Sequence, residues 1–271
     1  MDKLIITVAP NGSVPTKRDT PHVPITPQEV IEDGIACWEA GAAILHYHAR
    51  DAEQKPCLDY DYFAKVLEGL RKHTTLIVQM STGSRLNPDR EARIRAVDLK
   101  PDMMSLNVGS VNFPLGPYVN KPEDAEYWAG KMREHGVKPE IECFDASHIE
   151  AGARLWKRGL IDDPPFFDLV LNVKNALSYT PRNMLNLIEM MPPGALWNCI
   201  GVGKAQLPVS TLGMILGGHC RVGLEDNMYY AYHQLATNRQ LVERAVRIAG
   251  ELQRPVATPA EARQLLKIKS W

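Results

Sequence analysis

No stretch of this sequence approaches the roughly 18 consecutive apolar residues of a membrane-spanning helix, so no membrane role is expected. Neither sign of charge dominates: 31 Lys and Arg stand against 32 Asp and Glu, a formal net charge of −1. That balance offers no basic face to nucleic acid and no charged surface to lipid headgroups. A Cys-x-x-Cys pair is missing, and the five cysteines (Cys37, Cys57, Cys143, Cys199 and Cys220) are odd in number and scattered. They argue against a disulfide framework or a thiolate zinc site and for reduced thiols in a cytoplasmic protein. Met1-Asp2-Lys3 runs straight into Leu4-Ile5-Ile6-Thr7-Val8, which lacks the layout of a signal peptide and reads as a first strand. Low-complexity tracts, sequence repeats and linker-like segments are absent too. Residues 1–271 are therefore expected to form one domain, long enough to bury a core.

What is present is a steady alternation of short apolar strands and helical segments. The strand candidates are 3–9, 42–49, 76–81, 103–108, 138–144, 166–173, 196–202 and 219–225. Thr26-Pro27-Gln28-Glu29 carries an N-cap, a proline at the first helical position and a capping-box glutamate, and Thr258-Pro259-Ala260-Glu261 repeats the pattern. Thr180-Pro181 and Asn87-Pro88 mark two further helix starts. Eight strands alternating with helices predict an α/β fold of the (β/α)8 TIM barrel type. The alternative, an open doubly wound sheet, is disfavoured because Pro10-Asn11-Gly12-Ser13 stands where a dinucleotide fingerprint would follow the first strand.

Within the second strand, His46-Tyr47-His48 puts two imidazoles on one face, since side chains alternate with period two. Such a pair is either a hydrogen-bonded core feature or two arms for a divalent metal. At the carboxyl ends of barrel strands, where active sites lie, other polar residues gather. They include Gln79, Ser81, Gly83 and Ser84 after the third strand, Ser105 and Asn107 on the fourth, and Glu140 and Glu142 on the fifth. The eighth strand, in Gly217-Gly218-His219-Cys220-Arg221-Val222-Gly223-Leu224-Glu225-Asp226-Asn227, places Arg221, Gly223 and Glu225 on one face. Glu225 would complete a His2Glu set with an open position, a catalytic composition that suits zinc before manganese, iron or cobalt. Strict alternation turns Asp226 away from Glu225; it reaches the site only if the strand has already ended. If so, Asp226 is a candidate general base with Arg221 as its partner, and otherwise the two form a structural ion pair. Gly201-Val202-Gly203-Lys204 offers backbone N–H groups that suit a phosphate or merely a tight turn. His22, His73, His135, His219 and His233 have no partners at ligand spacing or lie at the wrong end of a strand.

Taken in order, Thr7-Val8-Ala9-Pro10-Asn11-Gly12, His46-Tyr47-His48-Ala49-Arg50-Asp51, Ser81-Thr82-Gly83, Ser105-Leu106-Asn107-Val108-Gly109-Ser110, Lys138-Pro139-Glu140-Ile141-Glu142, the eighth-strand segment and Val256-Ala257-Thr258-Pro259-Ala260-Glu261-Ala262-Arg263 resemble the β-keto acid cleavage enzyme family over the whole chain. The resemblance implies a zinc-dependent barrel, usually a homotetramer, that converts a β-keto acid and acetyl-CoA to acetoacetate and a new acyl-CoA. It implies His46, His48 and Glu225 as zinc ligands, Asp226, Arg221 and Ser81 as catalytic residues, and Ser81, Ser84 and Ser105, with Gly83, as substrate contacts. One departure stands out. Members acting on 3-keto-5-aminohexanoate carry a glutamate two residues after the glycine of the first-strand loop, where this chain has Val14. Valine would leave an ammonium unmatched, so a neutral or apolar substrate tail is expected. Without the resemblance, a metal-dependent hydrolase or aldolase, or a non-catalytic metal-binding barrel, would also suit these residues.

Overall fold

The computed structural model describes residues 2–114 and 116–269. Eight strands form its central sheet: β1 Ile6–Val8, β2 Ile44–Tyr47, β3 Ile77–Met80, β4 Met103–Asn107, β5 Lys138–Cys143, β6 Phe166–Leu171, β7 Leu196–Gly201 and β8 Cys220–Val222. Their spatial order is β7-β6-β5-β4-β3-β2-β1-β8, with every pairing parallel. The two ends of that series meet where His219 N donates to Trp197 O at 2.8 Å, and the sheet curls into a TIM barrel. All eight strand candidates are present, each trimmed by one or more residues at an end.

Both faces of each strand are covered, which is why the strands read as nearly continuous apolar runs. Ile5, Ile44, Ile77, Met103 and Phe166 fill the amino-terminal end of the barrel, where Ala262 and Leu266 of helix α9 (Pro259–Leu266) plug it. The alternate residues, among them Leu45, Val78, Leu106, Ile141 and Leu169, pack outward against the helical layer. With its apolar floor closed, only the carboxyl end of the barrel can hold polar chemistry.

The helix signals behave as local chemistry dictates. Thr26 accepts from Glu29 N, and Glu29 bonds back to Thr26 N, opening α1 (Pro27–Glu39); Thr258 and Glu261 do the same for α9. Thr180 caps α6 (Pro181–Met190). Asn87-Pro88 does not start a helix. Asp89 takes that role for Arg90–Ile94 by accepting from Ala92 N, while Asn87 accepts from Asp89 N in the turn before it. Among the described residues no helix is long and apolar enough to cross a membrane.

Strand β8 stops at Val222, three residues short of the predicted end. Gly223 has φ +143°, and a Cβ there would stand 2.1 Å from Ala9 O, so only glycine allows the chain to turn against β1. Asp226 N and Asn227 N both donate to Gly223 O, which closes the turn.

Candidate metal centre and active site

His46, near the end of β2, is fully buried and lies in register with Gln79 of β3. Its Nδ1 donates to Gln79 Oε1 at 2.9 Å, and Gln79 Nε2 donates to Glu140 Oε2 at 2.8 Å. That relay sets the tautomer and leaves His46 Nε2 as the free donor atom. His48 sits one residue past the strand, where Asn11 holds its backbone: Asn11 Nδ2 donates to His48 O at 2.9 Å, and Asn11 Oδ1 accepts from His48 N at 3.1 Å. The two imidazoles stay co-facing, with their Nε2 atoms 3.2 Å apart.

Glu225 completes the group from the turn after β8. Its Oε1 is 3.3 Å from His48 Nε2 and its Oε2 is 3.8 Å from His46 Nε2. One ligand atom from each of the three residues lies within 4.8 Å of the others. Burial, reinforced by the Arg221 charge, pushes His46 down to about 3, so the ring is neutral. Burial works against the charge of Glu225, but Arg221 and His48 outweigh it and hold the carboxyl well below its usual range. Two imidazoles and one carboxylate are the donor set of an open zinc site. Glu225 Oε2 is buried without a hydrogen-bond partner, as a ligand oxygen reserved for a cation would be.

Arg221 of β8 joins this group to Asp226. Its Nε donates to Asp226 Oδ2 at 3.0 Å and its Nη2 to Asp226 Oδ1 at 3.3 Å; Nη2 also lies 2.7 Å from Glu225 Oε1. Burial opposes the guanidinium charge, but Asp226, Glu225 and Asp168 together raise its pKa well above the ordinary value. Burial also dominates at Asp226, pushing its carboxyl up to about 7 against the pull of Arg221. Because β8 ends at Val222, Asp226 turns inward and lines the same cavity as His48 and Glu225. The Arg221–Asp226 ion pair and the inward-facing carboxylate, alternatives on the sequence, coexist.

The cavity measures about 650 Å³ at the carboxyl end of the barrel. Val14, Ser81, Gly83 and Ser84 line it. Ser105 does not: it is fully buried, and its Oγ accepts from Thr82 N at 3.1 Å, behind the Ser81–Gly83 turn. Of the backbone donors of residues 201–204 suggested for a phosphate, two are occupied, since Val202 N donates to Leu171 O and Gly203 N to Asp226 O. Three contributors went unassigned on the sequence. Asn11 and Gln79 support the histidines, and Arg85 lines the wall. Gln79 was discoverable from register with His46, whereas Asn11 and Arg85 lie in loops whose path no periodicity encodes.

A sequence profile of the β-keto acid cleavage enzyme family matches residues 3–268. The 3-oxoadipate:acetyl-CoA acetyltransferase of Cupriavidus necator is 42% identical over 272 residues, covering 98% of this chain and 95% of that protein. The 3-keto-5-aminohexanoate cleavage enzyme of Fusobacterium nucleatum is 40% identical, with 99% of each chain covered. Among solved structures, ObcA in binary complex with oxaloacetate superposes with a TM-score of 0.80 over 92% of this chain and 68% of its own, at 19% identity. That likeness is one of fold.

Proposed function

This chain belongs to the β-keto acid cleavage enzyme family and is a β-keto acid:acetyl-CoA transferase, and we propose that it works as a zinc enzyme on a β-keto acid whose tail carries no cation. The observation that carries this reading is the convergence of His46, His48 and Glu225 with the Arg221–Asp226 pair on one cavity. Zinc held by those three side chains would supply Lewis-acid stabilisation of negative charge on the keto oxygen.

The chain's own groups account for the proton and the geometry. Asp226 takes the α-proton of the β-keto acid, and Arg221 keeps the carboxylate oriented while its charge changes. The resulting carbanion carbon forms a bond to the thioester carbonyl of acetyl-CoA, and the CoA thiolate leaves. That thiolate then adds to the substrate's own keto carbon. Cleavage of the original carbon–carbon bond releases acetoacetate, which takes back the proton held on Asp226, and leaves the new acyl-CoA. Ser81, Gly83 and Ser84 hold the acid's polar head, with Ser105 acting through Thr82 N. The family's tetrameric assembly is part of the same reading, to be checked by sedimentation.

Val14 supports the restriction on the tail. It is 61% exposed and faces the cavity with no charge to offer an ammonium. The test is formation of acetoacetate and a new acyl-CoA from acetyl-CoA plus a panel of β-keto acids, with and without chelator. Turnover that survives full metal removal would overturn the zinc assignment. A clear preference for 3-keto-5-aminohexanoate over its uncharged analogue would overturn the tail assignment.

A further inference from the structure

Among the described residues, each wholly or partly buried arginine makes at least one guanidinium hydrogen bond within the chain, with one exception. Arg50 donates to the carbonyls of Gly12, Pro15 and Gln54. Arg93 donates to Thr82 O and Asn120 Oδ1, and Arg221 to Asp226. Arg244 donates to Tyr230 O, Arg254 to Met214 O and Arg263 to Asp102. Arg85 is half-buried as well, yet among the described residues it has no acceptor and no carboxylate partner. Its guanidinium carbon stands 5.6 Å from the centroid of the Phe113 ring, and its side chain lines the cavity that holds His48, Glu225 and Asp226.

The position is a built one. Phe113 stacks on Tyr118 with centroids 5.6 Å apart and planes at 13°. The Tyr118 hydroxyl lies 3.3 Å from where a Cβ on Gly83 would stand, and His48 Cε1 lies 3.8 Å from that same point. The cation thus belongs to the wall that carries the metal ligands. An apolar cluster of Val111, Phe144, Val170 and Ile200, with Phe113 packed against it, adjoins it. A planar fork of N–H donors, partly withdrawn from water and braced on an aromatic face, is complementary to a carboxylate or phosphate.

Building on the proposed β-keto acid chemistry, we propose that Arg85 is an anion-binding, specificity-determining residue that receives the terminal carboxylate of the substrate tail. The substrate class is then a β-keto dicarboxylate: a keto-acid head at the metal group, an aliphatic spacer along the apolar wall, and an acidic end on Arg85. Val14 excludes a cation only; Arg85 replaces the uncharged tail expected from the sequence with an anionic one. The phosphates of CoA have the same chemistry, and the experiment separates the two sources.

The metal-loaded protein is assayed with acetyl-CoA and either a six-carbon β-keto dicarboxylic acid or its ω-methyl ester. The wild type should favour the diacid in kcat/KM by on the order of 10- to 100-fold. R85M should abolish that preference while leaving the ester's kcat/KM and the KM for acetyl-CoA within about threefold. R85K, which keeps the charge but not the fork, should restore part of it, and melting curves check that both variants fold. Equal use of diacid and ester by the wild type overturns the proposal without any variant. A KM for acetyl-CoA that rises equally with both acids in R85M, and an effect that vanishes with the phosphate-free N-acetylcysteamine thioester, assigns Arg85 to CoA and overturns the tail assignment. If the wild type turns over no β-keto acid, charged or neutral, the underlying reading falls; turnover of neutral acids without diacid preference overturns Arg85 alone.

Discussion

Gln79 Oε1 accepts a hydrogen bond from His46 Nδ1 at 2.9 Å, and Gln79 Nε2 donates in turn to Glu140 Oε2 at 2.8 Å. The consequence is a fixed ring, with Nε2 directed at His48 and Glu225. Gln79→Leu removes the acceptor and leaves Glu140, buried and pushed up to about 7 by that burial, without its amide partner. The expected result is a metal dissociation constant raised roughly 10- to 100-fold. Competition with a chromophoric chelator measures it. Unchanged affinity would show that His46 orients without Gln79.

Gly12 stands against Glu225 from the opposite loop. It has φ +55°, and a Cβ there would lie 2.4 Å from Glu225 Cγ. Gly12→Ala therefore both strains the backbone and displaces the carboxylate. Stability should fall by about 1–3 kcal/mol, as in other overpacked sites, and the visible spectrum of the cobalt-substituted protein should change. An unaltered spectrum at full cobalt occupancy would mean that Glu225 is not a ligand.

Val14→Glu introduces a carboxylate on the cavity wall at a position already 61% exposed, so the side chain needs no room made for it. The kcat/KM ratio of 3-keto-5-aminohexanoate to its uncharged analogue should rise by at least about tenfold, since the change attracts one tail and desolvates beside the other. Steady-state kinetics on the two acids measures the ratio. No movement would place the tail elsewhere in the cavity.

His219 is a stability group. It is 4% exposed, accepts from Ile5 N through Nδ1 at 3.1 Å, and is pushed down to about 3 by burial and then by Arg254. The unfolded chain takes up a proton near its ordinary value of 6.5, whereas the folded one does not. Its contribution is thus complete above about pH 6.5 and declines as pH falls towards 3. Roughly 2 kcal/mol would be lost by pH 5 from this group. His219→Gln keeps an acceptor for Ile5 N without the proton, so its denaturant midpoint should fall less between pH 7 and pH 5 than that of the wild type. Parallel curves would reject the assignment.

Much of the barrel was legible because its determinants are local. Apolar runs between capped helices predict eight strands, and Thr26–Glu29 and Thr258–Glu261 announce helices through bonds made within four residues. Near Asn87 that logic misses by two residues, because Asp89 presents an equally good cap closer to the first helical turn. The paired imidazoles were legible too, since period two alone sets His46 and His48 on one face.

What sequence by itself determined, then, is the repeating strand–helix architecture and the co-facing histidines, both consequences of backbone geometry over a few residues. Tertiary structure decided the rest. Asp226 faces the cavity because Gly223 turns against Ala9 O, Ser105 lies behind it because Thr82 N claims its hydroxyl, and Arg85 is left with unspent donors. Each depends on which distant backbone or side-chain group arrives within hydrogen-bond reach once the barrel closes. No residue spacing records such a meeting.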